Sequence, residues 1–170
     1  MNSNRLRVAV IAALLGVAGA TSAQAASGNH STTAGSATAH VIAPLVLRHV
    51  RGHELNFGSF SVGTGGTVMV NSNGLGSVSN DVRFAPGSVT AADEFEVTGD
   101  HDRNFSIVTH SGTVRDGSKI IHFTTTPSSD QGRLNTLGQA TFTVGGTLAL
   151  TGSETAGTYR GKYHATVTYD

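Results

Sequence analysis

No cysteine occurs anywhere in the 170 residues, and tryptophan is missing too. The first absence removes disulfide staples, thiolate metal sites and cysteine nucleophiles together. Such a domain must rest on its packing and its backbone ladder. Proline is scarce, at 3 residues, and only 13% of the chain is charged. Arg5 and Arg7 lie in the first 25 residues, so beyond them 9 basic residues face 11 acidic ones, a formal charge of −2 with neutral histidines. That balance argues against nucleic acid or an anionic membrane as a partner, since both demand a basic field. The motifs of hydrolases and nucleotide enzymes are also missing: no G-x-S-x-G elbow, no H-E-x-x-H, no phosphate loop. Gly63-Thr64-Gly65-Gly66 is followed by no lysine and reads as a turn. The chain reads as a non-enzyme with no catalytic residues and no cofactor.

What is present begins with an export signal. Arg5 and Arg7 precede an apolar or small run from Val8 to Ala20, and Ala23-Gln24-Ala25 offers the small residues of a cleavage site. The run is shorter than the roughly 20 residues a membrane-spanning helix needs. Residues 1–25 are therefore expected to be a signal peptide, leaving no membrane span after its removal. Residues 26–37 are small and polar and are expected to form a flexible N-terminal extension. A single domain is expected over residues 38–170.

Thr, Ser, Val and 22 glycines favour strands joined by tight turns. Strands are expected at Leu55–Phe60, Thr67–Val70, Val82–Phe84, Glu94–Thr98, Phe105–Thr109, Lys119–Thr124 and Ala140–Leu150. In the last of these, Ala140, Phe142, Val144, Leu148 and Leu150 are in phase, and Gly145-Gly146 reads as a bulge or bend. Turn chemistry at Asn71–Gly74, Gly99–Asp102, Arg115–Gly117 and Ser128–Gly132 separates the strands. Val41, Ala43, Leu45 and Leu47 share a parity, with Pro44 pushing that run toward an edge strand or bulge. Phe57, Phe60, Phe95, Phe105 and Phe142 are the expected core aromatics. No helical period is found beyond the signal. The fold class expected is all-β, a β-sandwich.

The final thirteen residues alternate without a fault. Tyr159, Gly161, Tyr163, Ala165, Val167 and Tyr169 take one parity, and polar or charged residues take the other. One continuous half-buried strand is expected from Thr158 to Asp170. Together with Leu55-Asn56-Phe57-Gly58-Ser59-Phe60, Gly66-Thr67-Val68-Met69-Val70, Phe95-Glu96-Val97-Thr98-Gly99 and Ala156-Gly157-Thr158-Tyr159, this ending resembles a bacterial exported family, domain of unknown function 4402. More distantly it resembles spore-coat-U-type proteins and chaperone–usher pilus subunits. Tyr169 is penultimate, and Gly157 stands fourteenth from the C-terminus with Asp170 counted as first, as in pilus subunits. The resemblance implies an immunoglobulin-like β-sandwich, complete or, as in pilins, lacking a strand.

It also implies an exported structural subunit of a fimbria-like or other surface assembly, in the periplasm or on the surface of a Gram-negative bacterium. Its partners would be a periplasmic chaperone and neighbouring subunits. The implied assembly strand carries Gly157, Tyr159, Tyr163, Val167 and Tyr169, pairing by β-augmentation. A donor strand, if the chain supplies one, would include Val41, Ala43, Leu45 and Leu47; these residues fit equally as the domain's own first strand. Unlike many pilus subunits, this chain has no disulfide-forming cysteine. The alternative function is a self-contained binding module, a carbohydrate or matrix adhesin. Of the eight histidines, only His49 and His53 are close in sequence, and no metal-ligand spacing appears, so solvated histidines and no metal site are expected. Asp93, Glu94, Glu96, Asp100 and Asp102 read as a solvated, aggregation-resisting edge.

Overall fold

The computed structural model describes residues 32–170. The expected signal peptide and residues 26–31 of the expected extension lie outside the described residues. Residues 32–39 are exposed and carry no regular structure. The chain divides between Ala39 and His40, and His40–Asp170 forms the folded unit.

The described residues hold eleven strands and no helix. They are β1 (Val46–His49), β2 (Phe60–Val70), β3 (Gly76–Phe84), β4 (Asp93–Thr98), β5 (Asn104–Thr109) and β6 (Gly112–Asp116). There follow β7 (Lys119–Pro127), β8 (Gln131–Arg133), β9 (Gln139–Leu150), β10 (Arg160–Lys162) and β11 (Ala165–Tyr169). The larger sheet runs β1-β4-β9-β7-β6-β10, with the β2–β3 hairpin attached to β9; the smaller runs β11-β5-β8. Every pairing is antiparallel. The order β1-β4-β9-β7 facing β5-β11 is that of strands A-B-E-D facing C-F in an immunoglobulin sandwich, with β2–β3 inserted between A and B.

Strand β9 organises the larger sheet. Its first half pairs with β4 and its second half with β2 along the same edge, while β7 takes the other. The partner changes at Gly145-Gly146. A Cβ on Gly145 would run into the Val70 carbonyl, and one on Gly146 would lie 2.6 Å from the Thr124 carbonyl. The two glycines let three backbones meet where any side chain would wedge them apart.

The change of partner curls the sheet and gives two cores. One cluster, built on Phe57, Val68, Val70, Val82, Ile121, Phe123, Leu148 and Leu150, lies within the curl. The other, built on Val97, Phe105, Ile107, Leu134, Phe142 and Val144, joins the two sheets. Phe105, Leu134, Val97 and Val144 are sealed from solvent, and each contributes about 1.5–3 kcal/mol by burial.

Several sequence expectations need correction. The Thr158–Asp170 alternation is not one strand: it breaks after Lys162, so β10 pairs with β6 in the larger sheet and β11 with β5 in the smaller. The period survives because both pieces turn the same parity inward. Gly63-Thr64-Gly65-Gly66 does not end a strand. β2 runs through it as a bulge, the register slipping between Val62 and Gly66. The Asp81 carboxylate fills that bulge by accepting the Thr64 N–H at 3.0 Å. Of Leu55–Phe60, only Asn56 forms an isolated bridge, to Ala91, before β2 begins. Part of the expected turn at Ser128–Gly132 belongs to the short strand β8.

Candidate functional site at the open edge beside the terminal strand

The terminal strand β11 lies at one margin of the smaller sheet. Its register with β5 is continuous, Ala165 opposite Thr109 through Tyr169 opposite Phe105. Among the described residues no strand pairs with its outer edge. Beside it, on the same face of the sheet, Phe105 and Ile107 of β5 are buried at 1% and 4% exposure. Ala165, Val167 and Tyr169, which pack on the same cluster from β11, are only half-buried. A strand whose inner face stays partly wet and whose outer backbone edge is unpaired can accept another strand.

Across the cluster, β1 forms the margin of the larger sheet, pairing with β4 through Leu47 opposite Val97. Leu45 and Leu47 pack on the same cluster as Val167 and Tyr169, yet β1 and β11 do not pair. The structure thus brings part of the suspected donor set and part of the assembly set together over one core, from opposite sheets. Leu45 and Leu47 serve here as the domain's own first strand and its approach, while Val41, at 91% exposure, and Ala43 stand outside the core.

Tyr169 fastens one end of this opening. Its hydroxyl accepts the Asp100 N–H at 2.7 Å and donates to the Ala43 carbonyl at 3.0 Å. The ring hydroxyl reaches that position because residue 99 is glycine; a Cβ there would strike it. The C-terminal strand, the β4–β5 turn and the entry to β1 are therefore tied at a single oxygen.

Of the rest of the expected assembly set, Tyr159 and Gly157 lie away from this opening, and Tyr163 sits at its border. Tyr159 packs on the curled-sheet cluster and donates its hydroxyl to the Thr155 carbonyl at 3.0 Å. Gly157 is exposed, in the irregular segment before β10, close against the Asp116 carboxylate. Tyr163, at the crossing between β10 and β11, touches both clusters, with its ring edge-on to Phe95 and to Phe123.

Tyr163 also belongs to a polar group that the sequence reading missed. Its hydroxyl donates to Asp93 Oδ2 at 2.8 Å, while His49 Nε2 lies 2.7 Å from Asp93 Oδ1. The Glu94 N–H donates to the same Oδ1 at 2.8 Å. Asp93 is not part of a solvated edge: it is 5% exposed. Burial, then the hydrogen bond to Asp93 and that carboxylate's charge, push the Tyr163 phenol well above its ordinary pKa. His49 is not simply solvated either, and His53 pairs with Glu94 at 3.1 Å. Among the described residues no group of three or more His, Cys, Asp or Glu is placed to hold a metal ion. All three residues drew notice in the sequence, but in separate roles; the signal for their union was that Asp93 shares the inward parity of Phe95 and Val97 in β4.

The chain belongs to the family described as domain of unknown function (DUF4402), whose model matches residues 47–169. The match spans β1 to β11, so the open edge and the Asp93 trio lie within the family domain. No curated protein and no solved structure matches the chain. Among the described residues no helix is long and apolar enough to cross a membrane.

Proposed function

We propose that this member of the family is an exported structural subunit of a fimbria-like or other surface assembly in a Gram-negative bacterium. Its β11 edge receives a β-strand first from a periplasmic chaperone and then from a neighbouring subunit. One observation carries the reading: β11 has no partner on its outer edge among the described residues, and its inner face is half-exposed over an otherwise sealed core. In an immunoglobulin sandwich the position beside strand F belongs to strand G. An incoming strand there would gain main-chain hydrogen bonds from the edge of β11. It would place alternate side chains beside Ala165, Val167 and Tyr169 on the core-facing side of the sheet. The apolar run after Arg5 and Arg7 supports export.

The test is co-expression with a strand-donating periplasmic chaperone, followed by co-purification. A stable one-to-one complex is expected. Val167→Asp should abolish it, because an incoming side chain would then face a carboxylate buried in the contact. A wild-type protein that stays monomeric, and binds neither chaperone nor its own kind, would sink the proposal.

A further inference from the structure

The outer face of the larger sheet is charged asymmetrically. Toward its β1 margin the acids of β4 have basic neighbours: Glu94 with His53 at 3.1 Å, and Glu96 directly opposite Arg48 on β1. At its β10 margin, among the described residues, no base has an acid directly opposite it or in an ion pair, and Glu154, which lines one hollow with His122, is held by the Thr151 and Gly152 N–H groups. Arg160 of β10 lies directly opposite Arg115 of β6, and Lys162 directly opposite Thr113. Thr113 in turn faces His122 of β7. Directly paired residues share a face. This face is the outer one, since Val114, Tyr159 and Tyr163 of the other parity pack on the core. Arg115, Arg160, Lys162 and His122 are all exposed, and among the described residues none of them takes part in an ion pair.

Two like charges directly opposite on neighbouring strands destabilise a sheet. Lysine and arginine on an edge strand can be explained as a guard against strand-to-strand aggregation, which accounts for Arg160 and Lys162. It does not account for Arg115, which sits on the interior strand β6 and faces Arg160. An anion held between the two would account for all three cations.

We propose that the β7–β6–β10 face binds a linear acidic polysaccharide through its carboxylate or sulfate groups. Arg115 and Arg160 would take the anionic groups by paired N–H donors, which suit planar carboxylate and sulfate oxygens. Lys162, about 7 Å along the strand from Arg160, takes the next group, and His122 adds a further polar contact. A repeating anion can meet Arg160 and Lys162 at two points along one strand, which a single small ion cannot. Apart from the His122 imidazole, the outward residues of this face include no aromatic ring for stacking successive bases, as single-stranded nucleic acid binding uses. Its three full charges fall short of the 4–8 clustered basic residues that draw a protein to an anionic membrane. A second copy's acidic margin is a poor occupant, because those acids already have basic neighbours.

The experiment measures binding of the purified protein to immobilised heparin, a sulfate bearer, and to polygalacturonate, a carboxylate bearer. Neutral dextran, duplex DNA and anionic phospholipid vesicles are run beside them. Binding to one or both acidic polysaccharides is expected, weakening with added salt and absent on dextran; which one binds identifies the anionic group. The double variant Arg115→Ala/Arg160→Ala should lose at least about tenfold in affinity, as expected for two charge-assisted pairs. Arg51→Ala, a basic residue in the turn after β1, should leave binding unchanged. Circular dichroism and monomer content report on folding of the double variant; if it misfolds, Arg115→Gln alone, exposed on the same face, is read instead. Equal loss in Arg51→Ala, undiminished binding by the double variant, or tighter binding to DNA or vesicles than to the polysaccharides would each overturn the proposal.

Discussion

Replacing Tyr163 by Phe tests whether the Asp93 trio holds the two sheets in register. The substitution keeps the ring against Phe95 and Phe123 and removes only the hydroxyl, which donates to Asp93 Oδ2 at 2.8 Å. A hydrogen bond to a charged group contributes about 1.5–3 kcal/mol. Asp93 keeps two other partners, His49 and its neighbouring backbone N–H, and Tyr163 is only half-buried, so the lower part of that range applies, about 1.5–2 kcal/mol. For a folded unit of about 130 residues, an unfolding entropy near 2.1 cal/mol/K per residue makes this a fall of roughly 5–7 °C in Tm.

The pH dependence gives a second signature. Tyr163 is held neutral in the folded state by burial and by Asp93. Its folded pKa is raised, so its contribution is complete below the ordinary tyrosine value of about 10. Above that pH the unfolded chain releases a proton that the folded one retains, and stability falls. The gap between wild type and Tyr163→Phe in urea unfolding should hold from pH 6 to 9 and narrow above about 10. A variant within about 0.5 kcal/mol of wild type at pH 7, or a gap that widens above pH 10, would refute the reasoning.

Two further outcomes follow from the packing. Tyr169→Phe strips the oxygen shared by Asp100 and Ala43 and should cost about 1–2 kcal/mol; amide hydrogen exchange at Asp100 should rise more than at Val97, and equal rates at both would count against the Tyr169 tie. Leu148→Ala opens the curled-sheet cluster where β2, β9 and β7 meet and should cost about 2–5 kcal/mol in chemical denaturation; a loss below 1 kcal/mol would mean that this cluster is loosely packed.

Much of the fold was legible because its strands are half-buried. Burial on one face forces alternation, so β4, β5 and β9 could be bounded to within a residue or so from the pattern alone. Where the reading failed, a tertiary partner overrode a local signal. The glycine run in β2 has turn chemistry, but β3 supplies Asp81 to satisfy the bulge, and the ladder continues past it. β8 is short and largely exposed, so no period marks it. The break between β10 and β11 left no trace because crossing from one sheet to the other kept the inward parity intact.

The candidate site divides along the same line. Tyr163, Val167 and Tyr169 could be picked out because inward aromatic and β-branched residues at period two mark a core-facing strand. Asp93 could not, because its burial depends on His49 from β1 and Tyr163 from beyond β10, 44 and 70 residues away. The net charge of −2 misleads in the same way. It averages an acidic margin with basic neighbours against a basic margin that has no ion pair among the described residues, and only the strand order places Arg115 and Arg160 directly opposite each other. The two margins therefore bear different demands. Near β1 the acids and histidines are spent within the fold, tying the first strand to Tyr163. At β10 the cations remain exposed on the outer face of the larger sheet, while β11, the next strand in the chain, stands at the margin of the smaller sheet. The proposed strand exchange at β11 and the proposed anion contact at β10 would consequently draw on different atoms, and Val167→Asp and Arg115→Ala/Arg160→Ala should separate them.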